Sequence, residues 1–215
     1  LDNLEATKKM LKNPEQHQCQ SCDIRSSGEI RQALANVSSL YALIANAGIG
    51  GENQYGEQDR WREIIDTNLT GTYQTIHECL PLIKKNSAPF KKIIIISSIL
   101  ARLGVPGYSG YCASKAGLLG LTRSLAGELS GDGILVNALC PGWVDTEMAQ
   151  EGLQGFADAL KVSKDEAYKE AMKQVPLGKM SKPEEVAQLV AFLISEEQTS
   201  FTGQTLDINN GALMP

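Results

Sequence analysis

Apolar residues alternate along the chain between short continuous runs and longer amphipathic segments. Residues 93–96 are four isoleucines in a row, and residues 40–45 are also mostly apolar. An unbroken β-branched run indicates a strand that is covered on both faces. Further strands are predicted at residues 17–22, 133–139 and 205–208. The pattern therefore predicts five strands, with the isoleucine run at the centre of the core.

The segments between these strands have helical periodicity. Residues 27–37 place Ile30, Leu34 and Val37 on one face, and the other predicted helices cover residues 4–11, 58–84, 111–129 and 182–194. Ser181 begins a sequence of capping-box form before the last of these. Strands that alternate with helices of crossover length predict a parallel sheet with helices on both faces. We expect one α/β domain over residues 1–215, in which residues 147–175 form a substrate-loop region.

Polar and small residues follow several of the predicted strands. Asn46, Ser97, Ser98 and the Pro141-Gly142 pair each come where a strand ends. Ligands of parallel sheets bind outside the carboxyl ends of the strands. We therefore expect these residues to line one edge of the sheet and to form the functional site.

Composition excludes several classes of protein. The 215 residues are 42% hydrophobic, carry a net charge of -5 and show no basic stripe, so a nucleic-acid partner is not expected. The longest apolar stretch is too short to cross a bilayer, no signal peptide is visible, and five cysteines indicate a reducing compartment. A cytoplasmic protein is expected. Cys19 and Cys22 have no second ligand pair at zinc spacing, so no metal site is predicted.

Tyr111 and Lys115 are the strongest candidates for chemistry. They lie four residues apart on one face of a predicted helix. A positive charge about 5 Å from a phenol favours the phenolate by roughly 3 kcal/mol at an effective dielectric near 20. The pKa of Tyr111 is therefore expected to fall by about two units, into the range of a general acid or base. Ser98, thirteen residues earlier, can bring a hydroxyl to the same substrate oxygen.

These motifs, in their order and spacing, resemble the short-chain dehydrogenase/reductase family. The resemblance runs from about Asp23 to the C-terminus and rests on six features, which are Asn46-Ala47-Gly48, Asn68, Ser98, Tyr111-x-x-x-Lys115, residues 141–146 and residues 201–204. It implies a Rossmann-like doubly wound sheet and an NAD(P)-dependent oxidoreductase that interconverts a ketone and a secondary alcohol.

The resemblance also implies a role for each matching residue. Tyr111 is the general acid or base, Lys115 lowers its pKa and binds the nicotinamide ribose, and Ser98 holds the carbonyl. Asn68 interrupts its helix and orders a water in a relay with Lys115. The residues implied in cofactor binding are Asp23, Ile24, Asn46, Ala47, Gly48, Tyr111, Lys115, Pro141, Gly142, Val144 and Thr146.

The chain departs from the family at the glycine-rich phosphate loop. No G-x-x-x-G-x-G sequence occurs in the 215 residues, although glycines there would let the backbone approach a pyrophosphate. We expect the sequence to be part of a longer chain, since removing a central strand would leave unpaired ladders on both sides of the gap. A non-catalytic scaffold is the alternative. The choice between NAD and NADP stays open, with NADPH slightly favoured.

The expected substrate walls are mostly apolar. They comprise Ser98, Leu100, Val105, Tyr108, Trp143, Met148 and Phe156. The sequences of residues 162–168 and 175–178 resemble those of ketoreductases of fatty-acid and polyketide synthesis. This resemblance implies a substrate with a 3-oxoacyl or similar carbonyl group, either a free ketone or an acyl thioester. Some of the apolar residues can instead cap the core, and steroid, small-alcohol or sugar dehydrogenases remain alternatives.

The family resemblance also implies a homotetramer, with Gly117, Gly120 and Ala126 at one two-fold axis.

Overall fold

Four parallel strands form the sheet at the centre of the protein. A computed structural model describes the backbone of residues 2–214 and the side chains of residues 4–214. The strands are β1 (Ala42–Ala45), β2 (Lys91–Ile96), β3 (Ile134–Pro141) and β4 (Thr205–Ile208). Their spatial order is β1-β2-β3-β4, with every neighbouring pair parallel. The carboxyl ends of all four strands therefore meet at one edge.

Helices connect the strands and cover both faces of the sheet. They are α1 (Asp2–Met10), α2 (Ser27–Ala33), α3 (Trp61–Ile65), α4 (Thr72–Lys84), α5 (Ser109–Leu129), α6 (Glu147–Leu160), α7 (Lys164–Met172) and α8 (Pro183–Ile194). A π-helical segment, Asp66–Gly71, joins α3 to α4. Short 3₁₀ turns lie at Pro14–Gln16, Ile99–Ala101 and Ser130–Asp132. None of the helices in the part of the chain described here is both long and apolar enough to span a membrane.

The isoleucine run of β2 is buried because helices pack on both of its faces. Ile93 and Ile95 belong to the core shared with α4 and α5, whereas Ile94 packs with Leu139 and with Leu193 of α8. All three isoleucines are inaccessible to solvent. Burying an isoleucine side chain fully contributes about 1.5–3 kcal/mol. The α/β fold expected from the sequence is therefore confirmed.

The prediction of a strand at residues 17–22 is wrong. These residues are irregular, and most of them are exposed. Cys19 donates its thiol hydrogen to the carbonyl of Leu4 at 3.4 Å, outside any sheet ladder. The sequence between His17 and Cys22 is polar, and none of the described strands pairs with it to complete a ladder. Among the described strands, β1 is consequently an edge strand.

This position of β1 also corrects the expectation of unpaired ladders on both sides of a gap. Strand β1 pairs with β2 on one side, and within residues 2–214 nothing pairs with its other side. Only one row of backbone groups is therefore left open at β1 in the described chain. The exposed side chain of Ile44 marks this edge.

Several element boundaries also differ from the sequence patterns. Helix α2 ends at Ala33 and is shorter than residues 27–37, and the helix expected from residue 58 begins at Trp61. Strand β3 runs through Pro141, which the sequence placed after the strand. At the start of α8, Glu185 accepts a hydrogen bond from the Lys182 amide at 2.7 Å. Ser181 is not the cap, because its hydroxyl accepts from Asn210 at 3.0 Å instead.

Candidate active site

Helix α5 holds Tyr111 and Lys115 on one face at the carboxyl edge of the sheet. The ammonium nitrogen of Lys115 lies 5.7 Å from the centroid of the Tyr111 ring. Lys115 is 5% exposed, and its Nζ donates to the carbonyl of Ile96, the last residue of β2, at 3.0 Å. Burial lowers the pKa of Lys115 to about 8, because a desolvated ammonium is less stable than a hydrated one.

The expected acidification of Tyr111 is wrong for this structure. Burial raises the pKa of Tyr111 above its ordinary value, and a hydrogen bond with Ser98 acts in the opposite direction. The Lys115 ammonium is directed at the Ile96 carbonyl and sits beside the ring, so its attraction does not offset the desolvation of a phenolate. Tyr111 is therefore a phenol that keeps its proton at neutral pH.

Ser98 lies where β2 passes into the loop before α5. It caps the 3₁₀ turn Ile99–Ala101, and its Oγ accepts from the Leu100 amide at 3.1 Å. The neighbouring Ser97 donates its hydroxyl to the carbonyl of Lys115 at 2.8 Å. These contacts join the end of β2 to α5, so that the Ser98 hydroxyl and the Tyr111 phenol are brought together as the sequence predicted.

Asn68 is fully buried in the π-helical segment Asp66–Gly71. Its side-chain oxygen accepts from the Ile49 amide at 2.8 Å, and its nitrogen donates to the Ile49 carbonyl at 2.9 Å and to Ser114 Oγ at 3.2 Å. A Cβ built on Gly48 would lie 3.0 Å from Asn68 Oδ1 and 3.5 Å from Lys115 Nζ. Asn68 and Lys115 therefore converge at Gly48, where a larger residue would crowd both.

A cavity of about 340 Å³ opens beside this cluster. Its walls are Cys22, Asp23, Ile24, Arg25, Ala47, Gly48, Ile49, Glu63 and Thr67. A smaller recess next to it is lined in part by Asn46 and Ala47. The structure thus brings the expected residues Asp23, Ile24 and 46–48 around one concave surface.

Arg25 is a wall of this cavity that the sequence reasoning missed. Its guanidinium holds the Asp23 carboxylate at 2.6–3.0 Å, and this hydrogen bonding lowers the pKa of Asp23 to about 2. The only signal in the sequence was a basic residue two positions after Asp23. Any group that hydrogen-bonds to Asp23 therefore meets an ionised carboxylate that is already paired.

The remaining residues expected at the cofactor follow β3. Pro141 is buried at the strand end, and a Cβ on Gly142 would lie 2.9 Å from the Asn209 Cα atom, so the close approach of two backbones requires glycine there. Val144 forms an isolated bridge with Ser181. Thr146 caps α6, since its Oγ1 accepts from the Ala149 amide at 3.4 Å.

The expected substrate residues divide into two groups. Val105 and Met148 are exposed, and Leu100 and Tyr108 are half-buried. Trp143 and Phe156 instead pack against the small core formed by α6 and α7, which contains Leu153 and Ala157. The alternative that some of these apolar residues cap a core therefore applies to Trp143 and Phe156.

The cavity has charged and polar walls at Asp23, Arg25 and Glu63. Lys115 lies beside it, since its Nζ would be 3.5 Å from a Cβ built on Gly48, which is another wall of this cavity. The sequence contributes no glycine-rich loop for the pyrophosphate. The side chains that are present fit NAD(P).

A parallel sheet with a serine, a tyrosine and a lysine gathered at its carboxyl edge defines a class of oxidoreductases, the short-chain dehydrogenases/reductases. A family model described as Enoyl-(Acyl carrier protein) reductase matches residues 2–212. The chain therefore belongs to the short-chain dehydrogenase/reductase family, whose members use NAD or NADP.

Named relatives and solved structures agree with this membership. The chain is 36% identical over 188 residues to the 3-oxoacyl-[acyl-carrier-protein] reductase FabG of Staphylococcus aureus, covering 86% of this chain and 71% of the relative. It is 37% identical over 197 residues to FabG of Rickettsia typhi, covering 90% and 76%. A crystal structure of a point variant of actinorhodin polyketide ketoreductase with NADPH superposes with a TM-score of 0.91 at 33% identity, covering 98% of this chain and 84% of the other.

Proposed function

We propose that the protein reduces the ketone of a 3-oxoacyl or similar apolar carbonyl compound to a secondary alcohol. The single observation that supports this most directly is the meeting of the Ser98 hydroxyl, the protonated Tyr111 phenol and the buried Lys115 ammonium at one edge of the sheet. NADPH is the favoured cofactor, because the actinorhodin ketoreductase structure contains it.

The side chains divide the work of proton transfer. When bound, a reduced nicotinamide would supply the hydride for the carbonyl carbon. Ser98 donates a hydrogen bond to the carbonyl oxygen, and the Tyr111 O–H bond breaks as its proton passes to that oxygen. The raised pKa of Tyr111 keeps this proton in place at neutral pH. The phenolate that remains lies beside the Lys115 ammonium, 5.7 Å from the ring centroid, whose charge offsets part of the cost of burying it.

The substrate is proposed to be apolar near its carbonyl. Leu100, Val105 and Met148 present apolar surface around the loop that follows Ser98. By the family resemblance, the acidic Asp132 stands where carrier-dependent reductases often have a basic residue. Besides a carrier-bound substrate, a free ketone or an acyl thioester is therefore also proposed.

We further propose a cytoplasmic homotetramer. The absence of a side chain at Gly117 is already explained within one chain, because a Cβ there would lie 2.9 Å from Leu69. Gly120, one turn further along α5, has open space in front of it. The open side of β4 and the surface around Gly120 are the two regions proposed to meet other copies.

A panel of substrates with both reduced cofactors tests this function. The compounds are a 3-oxoacyl thioester, a free apolar ketone, an enoyl thioester and a sugar lactone, and turnover is followed by the loss of nicotinamide absorbance. We expect the first two to react, faster with NADPH than with NADH. Reaction with the enoyl thioester alone, or with the lactone alone, would overturn the ketone assignment. Failure to bind either cofactor would favour the scaffold.

A further inference from the structure

Helix α5, which carries Tyr111 and Lys115, begins without a cap of its own. Its N-cap residue is Tyr108, whose side chain makes no capping hydrogen bond. The first amide groups of a helix have no partner within the helix, so that another acceptor has to satisfy them. In this protein the acceptor comes from a different loop.

The side chain of Asn53 supplies the missing cap. Its Oδ1 accepts from the Gly110 amide at 2.8 Å and from the Ser109 hydroxyl at 3.1 Å. Gly110 is the second helical residue, whose amide a capping side chain normally binds. Asn53 is 6% exposed, so water competes little for these bonds.

A third bond makes this contact a link between two loops of the site. The backbone N–H of Asn53 donates to the backbone carbonyl of Gly107 at 2.8 Å. One of these loops begins at residues 46–48, beside the cavity, and the other begins at Ser98. Tyr111 directly follows Gly110, and a Cβ on Gly110 would lie 3.4 Å from Asn53 Oδ1 and 3.5 Å from Trp61, so the first turn of α5 has little room to move.

We propose that Asn53 is the positioning residue that sets the orientation of Tyr111 relative to the cavity loop. Asn53 acts through the first turn of α5 and does not touch the reacting atoms. This inference rests on the proposed role of Tyr111 as the proton donor. It assigns a function in proton transfer to a residue of the loop that follows β1 but that is not itself among the cavity walls.

The test compares three variants with the wild-type protein. Asn53→Ala removes the acceptor, Asn53→Asp keeps an oxygen in the same place, and Asn86→Ala removes a comparable bond, from the Ala88 amide at 2.9 Å, in a distant turn. For Asn53→Ala we expect kcat to fall about tenfold while the KM and the Kd of the reduced cofactor stay within about twofold. Asn53→Asp should restore most of kcat, and Asn86→Ala should leave it unchanged.

Hydrogen exchange at the Gly110 amide supplies a second measurement that does not depend on turnover. Exchange should accelerate in Asn53→Ala and remain slow in Asn53→Asp. If Asn53→Ala does not fold, Asn53→Gln replaces it with the same expectations, because its oxygen is displaced by one methylene.

Two outcomes would overturn the role of Asn53. One is an unchanged kcat in an Asn53 variant whose Gly110 amide exchanges rapidly. The other is a fall in kcat that Asn53→Asp does not rescue. An inactive wild-type protein would instead reject the proposed function, and the exchange data would then decide whether Asn53 caps α5.

Discussion

At the scale of single residues, burial decides the chemistry of the Tyr111 and Lys115 pair. The spacing in the sequence correctly predicted that they share a helix face, because the period of a helix is fixed. It could not predict that Lys115 is almost completely buried, since burial depends on the whole fold. Desolvation therefore lowers the pKa of Lys115 and raises that of Tyr111, opposite to the expected effect on the phenol.

The variant Lys115→Met should be inactive and yet more stable than the wild-type protein. The folded-state pKa of Lys115 is about 8, whereas its ordinary value is 10.5. Below pH 8 the amine is charged in both states, and the folded state carries the full cost of a buried charge. We expect Lys115→Met to gain about 1–2 kcal/mol in unfolding free energy at pH 7, after the loss of the bond to Ile96 is subtracted.

This gain should shrink as the pH rises from about 8 to 10.5. In that range the folded wild-type protein releases the proton while the unfolded chain still holds it, so the stability of the wild-type protein rises relative to that of the variant. Urea unfolding of both proteins at about pH 7 and about pH 10 measures the difference. An advantage of equal size at both pH values would contradict the lowered pKa.

At the scale of elements, the interior strands could be predicted and the irregular segments could not. β2 could be predicted because a continuous β-branched run requires cover on both faces, and β3 was also predicted at residues 133–139. The spacing of apolar residues does not reveal that residues 66–71 are π-helical. Only the family resemblance indicated that the helix is interrupted at Asn68. Residues 17–22 were misread because a strand needs a neighbour, which their own sequence does not reveal.

The variant Asn68→Ala should loosen the loop that follows β1, which contains the cavity wall residues 47–49. It removes three hydrogen bonds from a fully buried position, including both bonds to the Ile49 backbone. Leaving these groups unpaired should lower the unfolding free energy by about 2–4 kcal/mol and accelerate amide exchange at Ile49.

Thr75→Ala is the control for this variant. It removes one bond, to the Gly71 carbonyl at 2.8 Å, near the same segment. We expect a loss of about 1 kcal/mol and no effect at Ile49. If both variants lose equal stability and Ile49 stays protected in both, Asn68 does not fix the loop.

At the scale of the whole molecule, the two edges of the sheet differ in what they offer. β1 has an exposed isoleucine, Ile44, at its edge. On the side of β4, Phe192 of α8 and Phe201, which precedes β4 in the sequence, are both partly exposed, and their rings meet edge to face at 6.2 Å. The sequence predicted the α/β layers because they follow from the alternation of strands and helices. It could not predict which surfaces of the folded chain meet another copy.

The variant Gly120→Trp tests the proposed assembly. Within one chain a side chain at Gly120 meets no atom within 4 Å, so the fold should tolerate tryptophan. Across the proposed two-fold axis the indole is expected to collide with its copy. Sedimentation should show four chains for the wild-type protein and fewer for Gly120→Trp. The control Gly155→Trp lies in equally open space on α6 and should leave the assembly intact.

The most direct test of the account is the turnover of Tyr111→Phe, which removes only the phenolic oxygen. With the best ketone from the panel, kcat should fall by about 10²–10⁴, the usual contribution of general acid catalysis. Nicotinamide fluorescence should show unchanged cofactor binding, and Tyr55→Phe, at a tyrosine that is 92% exposed, should keep full activity. Near-normal turnover by Tyr111→Phe would contradict the claim that Tyr111 supplies the proton to the substrate oxygen.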